Sequence, residues 1–100
     1  MAMTVLLRTA SGKVLRSLTE DSVRLSRILP PIGDDDFPFL GLLDPYGDTF
    51  FSSLQMRAVI PEIRRIRALS QDADDLLAEL EELAEECRDG NRLFLIFVGD

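Results

Sequence analysis

The sequence predicts a single α+β domain, spanning residues 1–100, in which a small mixed or antiparallel sheet carries two helices packed on one face. Three observations predict it. Ala73, Leu76, Leu77, Leu80, Leu83, Ala84 and Cys87 recur at helical spacing without a break. Leu93 to Val98 is an unbroken apolar run of strand length. The first eighteen residues divide into two short β-compatible pieces around a turn. Packing one amphipathic layer against the other is the economical way to bury all three.

In chain order, Thr4 to Thr9 reads as a strand with Val5 and Leu7 on one face. Ala10-Ser11-Gly12-Lys13 is the turn, and Val14 to Leu18 the returning strand of a hairpin. Residues 19–29 fit two patterns. Val23 and Leu25 alternate as in a strand, whereas Val23, Arg24, Arg27 and Ile28 have the spacing of a short helix. Pro30 to Asp36 is a loop, with two prolines, a glycine and three consecutive acids. Phe39 to Leu43 is an apolar run short enough for a buried strand.

Asp44-Pro45-Tyr46-Gly47 places Asp first, Pro second and Gly fourth, the pattern of a type I turn. Asp48 or Thr49 is the expected cap of the helix that follows. That helix presents Met56, Val59, Ile60, Ile63 and either Ile66 or Arg67 on one face. Pro61 either kinks it or begins a shorter one ending at Leu69. The second helix spans residues 72–89, and Gly90 stands where a C-terminal cap belongs. Leu93 to Val98 is expected as a central strand covered on both faces.

Composition narrows the function. The chain has 46% hydrophobic and 29% charged residues, a globular balance. With 18 acids against 11 bases the net charge is −7, which argues against a nucleic-acid partner. The negative excess lies in the last third, since residues 72–100 hold ten acids and two bases. No run has the length of a membrane span, and the N-terminus lacks the basic region of a secretory signal. A single cysteine points to a reducing, cytoplasmic setting. The absence of histidine removes His-based acid–base chemistry and most zinc sites. Cys87 falls on an apolar helix face, as a core thiol does. No phosphate-binding glycine motif occurs. The expectation is a protein that is not an enzyme and needs neither cofactor nor metal.

Three polar constellations remain. On helix 72–89, Asp72, Asp74, Asp75, Glu79, Glu81, Glu82, Glu85, Glu86 and Asp89 occupy nearly every position outside the apolar face. Like-charged pairs such as Glu82/Glu86 cost roughly 0.2–0.5 kcal/mol each. A basic partner offsets that cost, and so do neighbouring arginines such as Arg64, Arg65 and Arg67. The loop Asp44 to Thr49 gathers Asp44, Asp48, Tyr46 and Thr49, either as a ligand site or as turn and cap. Asp34, Asp35 and Asp36 form an acidic loop whose spacing does not match a calcium-binding EF-hand.

The stretch Leu43-Asp44-Pro45-Tyr46-Gly47-Asp48-Thr49-Phe50-Phe51, followed by Leu54-Gln55-Met56, resembles a group of small bacterial proteins. These share a D-x-Y-G-D-T-x-F loop, an amphipathic helix and a final F-x-G-D strand, here Phe97 to Asp100. The resemblance covers about the last two thirds of the chain and implies a small α+β domain. It departs at Ser52, where the pattern often has Asn. In size, acidity and lack of catalytic groups the chain is also similar to immunity proteins of bacterial toxin systems.

The leading expectation is therefore an immunity-type inhibitor that occludes a basic toxin. Asp34, Asp35, Asp36, Tyr46, Asp75, Glu79, Glu82 and Glu86 would form the contact. The alternative is a small-ligand or cation site at Asp44, Asp48 and Thr49. A third expectation is a homodimer, formed through a sheet edge or the Phe-rich segment.

Overall fold

The computed structural model describes residues 2–18, 22–70 and 73–99. Strand β1 (Met3–Thr9) and strand β2 (Val14–Ser17) form the expected antiparallel hairpin. Gly12 closes it with φ +103°, a conformation that a side chain disfavours. The Thr9 hydroxyl accepts the Lys13 N–H at 3.0 Å, and the Thr9 N–H donates to the Lys13 carbonyl at 2.8 Å. A bulge between Leu7 and Arg8 shifts the register.

The ambiguity of residues 19–29 resolves in favour of a helix from Ser22 onward, α1 (Ser22–Ile28). Its Leu25 is fully buried. Residues 19–21, like Asp72 at the expected start of the second helix and the closing Asp100, lie outside the described residues.

Phe39 to Leu43 is not a strand. Leu40–Leu42 forms a 3₁₀ turn in which Leu40 and Leu43, three apart, are buried and Leu42 points out. A carboxylate decides the matter. Glu62 accepts the N–H of Leu40 at 2.9 Å and that of Phe39 at 3.1 Å. Those donors are therefore withdrawn from any sheet.

Nor do Asp48 and Thr49 cap a helix. They open strand β3 (Asp48–Ser52), which pairs antiparallel with the last strand. Thr49, Phe50 and Phe51 are β-branched or aromatic, and alternation sends Phe51 into the core. The actual cap lies four residues on from Asp48. Ser52 Oγ accepts the Gln55 N–H while Gln55 Oε1 accepts the Ser52 N–H at 2.7 Å, a reciprocal capping pair.

Helix α2 (Met56–Leu69) runs through Pro61 as one element. The missing Pro61 N–H leaves only the Arg57 carbonyl without its helical donor. Helix α3 (Asp74–Asp89) packs along α2 and ends at Gly90, whose N–H reaches the Glu86 carbonyl at 3.0 Å. The left-handed residue after it is Arg92, with φ 58°, and not the glycine. Strand β4 (Leu93–Gly99) follows.

The sheet order is β2-β1-β4-β3, every pair antiparallel, so β4 is central as the sequence implied. One face carries Met3, Val5, Leu7, Phe51, Leu95 and Phe97. They merge with Leu25, Met56, Val59, Ile63, Leu76, Leu77, Leu80 and Leu83 of the helices in one buried cluster. Edge-on contacts of Phe51 with Phe97 (5.8 Å) and with Phe39 (6.1 Å) knit the layers. Among the described residues no further layer covers the second face of β4, where cover was expected. The described helices share one side of the sheet, and Ile96, facing the other way, stands outside that cluster although it is buried. Among the described residues no helix is long and apolar enough to cross a membrane.

Candidate interaction surfaces

The acidic face of α3 is the first surface. Its carboxylates meet arginines from three other elements. Arg16 of β2 holds Glu82 at 3.7 Å and binds Glu86, and Arg24 of α1 holds Asp75 at 3.1 Å. Arg64 of α2 reaches Glu81 at 3.1 Å and Glu85 at 3.7 Å. Arg67 reaches Asp74 at 2.7 Å and Glu81 at 3.4 Å. Arg88 binds its neighbour Asp89 at 2.9 Å. Hydrogen bonds from these guanidinium groups hold the Asp74, Asp75 and Asp89 carboxyls below their ordinary range. The acids that sequence reasoning offered to a partner thus serve first as anchors for the chain's own arginines. The acids still outnumber the arginines that hold them, so a negative field persists.

Beside this face lies an open groove of about 630 Å³, lined by Arg16, Glu82, Glu85, Glu86, Asp89 and Gly90. Glu82 and Glu86 are the only contact candidates from the sequence that line it. Asp34, Asp35, Asp36 and Tyr46 do not. The acidic loop is tied instead to α2, where Arg65 donates to the Asp36 carbonyl and its guanidinium lies 4.6 Å above the Phe37 ring. Asp34 accepts the Asp36 N–H at 3.0 Å, and Tyr46 is exposed in its turn.

The Asp44–Thr49 loop is held by its own groups. Asp44 Oδ1 accepts the Tyr46 N–H at 2.8 Å, and the Thr49 hydroxyl accepts the Asp44 N–H at 3.1 Å. Because a strand and not a helix follows, this loop presents no helix-start N–H groups to a ligand. The apolar cleft next to it, about 420 Å³, is lined by Met3, Leu29, Pro31, Leu43 and Pro45 among others, and by none of Asp44, Asp48 and Thr49. Among the described residues no three acids or cysteines are grouped to hold a metal ion. Cys87 is buried, and burial raises its thiol pKa against the smaller effect of a Ser53 hydrogen bond.

The surface that sequence reasoning missed is the helix-free face of the sheet. Register places three rows on it. Thr4, Val98 and Asp48 form one row, Leu6, Ile96 and Phe50 the next, and Arg8, Phe94 and Ser52 the third. Ile96 is at the centre and 1% exposed, whereas Phe50 and, on β2, Leu15 are each 45% exposed. Arg8 lies across this patch with its guanidinium 5.1 Å from the Phe50 ring centroid. Its Nε is buried without a hydrogen-bond acceptor, the one such side-chain atom among the described residues. Phe50 and Phe94 meet edge-on at 6.2 Å. The signal was present in the sequence. Leu6, between Val5 and Leu7, and the uninterrupted β4 run put apolar side chains on both faces, more than helices on one face cover.

Comparison of the chain with family models, with curated proteins and with solved structures finds no match.

Proposed function

We propose that this chain is a non-catalytic protein-binding module that docks its partner on the helix-free face of the sheet. The observation that carries this reading is the state of the patch around Ile96. Its centre is already dry, its rim of Phe50 and Leu15 is half exposed, and the Arg8 Nε is desolvated without an acceptor. A contiguous apolar patch with a polar rim is what protein interfaces present, with aromatic and arginine side chains as the usual anchors. An incoming surface that removes Phe50 and Leu15 from water gains roughly 25 cal/mol per Å² of apolar area.

The acid excess of α3 supports a second reading, the immunity-type inhibitor with a basic toxin seated against Asp75, Glu79, Glu82 and Glu86. There the partner competes with Arg16 and Arg24, which already bind Asp75, Glu82 and Glu86. Competition of that kind lowers the gain from each new ion pair.

A photocrosslinking amino acid separates the two. Placed at Phe50 in one variant and at Glu82 in another, in the living source cell, it should give a discrete adduct from position 50 and none from 82. The reverse pattern transfers the partner to α3 and overturns the sheet-face reading.

A further inference from the structure

Resting on the sheet-face reading, we infer that the occupant of that face is a second copy of this chain, related by a two-fold axis beside Ile96. The argument begins with charge. Arg8 and Asp48 are the two charged residues in the three rows, and they stand at opposite corners. Arg8 is one strand and one row from Ile96 in one direction, and Asp48 one strand and one row in the other. Neither forms an ion pair with any described residue. A two-fold axis lying in the interface across this diagonal passes over Ile96 in both copies. It carries each Arg8 to the Asp48 of the other chain, and an isologous contact makes that pair twice.

The exchange accounts for an oddity of the isolated chain. Arg8 lies over Phe50 with its Nε shut off from water and from any acceptor, an arrangement that carries a desolvation cost. Leaving Phe50 for the carboxylate of the second copy releases the Nε from that site. Charge elsewhere does not oppose the pairing. The acidic helix α3 is on the other side of the sheet, and layers about 10 Å thick keep the two copies of α3 roughly 30 Å apart. That is several times the Debye length of about 8 Å at physiological salt. A four-stranded face falls at the low end of specific interface sizes, so the dimer should be a reversible one.

Sedimentation velocity of the full chain, from about 1 to about 500 μM, reads the association directly. The wild-type chain should pass from monomer to dimer across this range. Arg8→Glu and Asp48→Arg should each weaken dimerisation at least about tenfold, by setting like charges face to face. The double variant, with the charges exchanged, should restore it. Asp48→Asn at an exposed position serves as the milder variant, and thermal melts establish that each protein is folded. A wild-type chain that stays monomeric throughout, or a dimer indifferent to Arg8→Glu, overturns the inference. The crosslinked adduct from position 50 then tells which claim failed. An adduct heavier than two chains retains the docking face and removes only the second copy, whereas no adduct removes both.

Discussion

The Leu40 N–H donates to Glu62 Oε1 at 2.9 Å, and this bond joins a loop to the middle of α2 inside the core. Glu62 is 3% exposed, the one buried charged residue among those described, and its carboxylate also takes the Phe39 N–H. It works as the cap of a 3₁₀ turn supplied from a distant helix. A negative charge at the turn's free N–H groups is favourable for the same reason that it is at any helix start.

Glu62→Ala should therefore destabilise the fold by about 2–4 kcal/mol, since two buried donors lose their acceptor and a small cavity opens. Glu62→Gln keeps one acceptor oxygen and should cost less, about 1–2 kcal/mol. Urea denaturation followed by circular dichroism gives both values. Equal costs for the two variants would show that side-chain volume, and not the acceptor, holds the turn.

Two glycines with ordinary negative φ should respond differently to alanine. At Gly99 a Cβ would run into the Asp44 carbonyl oxygen and come within 2.6 Å of the Pro45 carbonyl carbon and oxygen, backbone atoms that cannot step aside. At Gly90 the obstruction is the Leu93 side chain, with Cγ at 2.8 Å and Cδ1 nearer still. Gly99→Ala should cost more than about 2 kcal/mol and Gly90→Ala about 1 kcal/mol. Pairing Gly90→Ala with Leu93→Ala tests the cause, because the double variant should fall short of the summed costs.

Acid should loosen the arginine clamp on α3. Asp74, Asp75 and Asp89 have folded-state pKa values below their ordinary ones, each chiefly through a hydrogen bond from an arginine. A depressed carboxyl pKa contributes stability that is complete above the unfolded value near 3.9. That contribution is lost as pH falls through the folded value. The melting temperature measured from pH 7 down to pH 2 should thus drop below about pH 4. Repeating the titration with Asp74→Asn should give a shallower drop. An unchanged slope would place the acid sensitivity elsewhere.

Cys87 should be silent to thiol reagents in the native protein. It is fully buried, and burial pushes its thiol pKa upward. Ellman's reagent should react at the rate of global opening and become fast only in denaturant. Rapid labelling of the folded chain would mean that the end of α3 opens locally.

The two helices and the central last strand were legible because each rests on a long, regular pattern. Leu76 to Cys87 permits no reading but an amphipathic helix, and Leu93 to Val98 is too short and too apolar for anything but a strand in a domain of this size. The short pieces failed for a shared reason. Phe39 to Leu43 and Asp48 to Ser52 are both five residues long. Which of them joined the sheet was decided by partners far along the chain: Glu62 claimed the donors of the first, and Phe94 to Val98 took up the second. Turn chemistry at Asp44 to Gly47 was read correctly, but the cap was sought at Asp48 when Ser52 and Gln55 carry the S-x-x-Q spacing.

The surface was harder to read than the fold. The acids of α3 drew attention because they are consecutive in sequence, whereas Arg16, Arg24, Arg64 and Arg67 are scattered over β2, α1 and α2. The patch around Ile96 is assembled from β1, β3 and β4, so no segment announces it.

The strand order has a consequence for how the molecule is made. β1 and β4 are neighbours in the middle of the sheet, although β2, α1, β3, α2 and α3 lie between them in sequence. On a ribosome the β1–β2 hairpin emerges early and waits with one edge unpaired. β3 has no companion in the sheet until β4 leaves the tunnel. Contacts this distant in sequence slow folding and leave nascent edges open to wrong partners. Completion of the sheet thus waits for β4 to enter between β1 and β3.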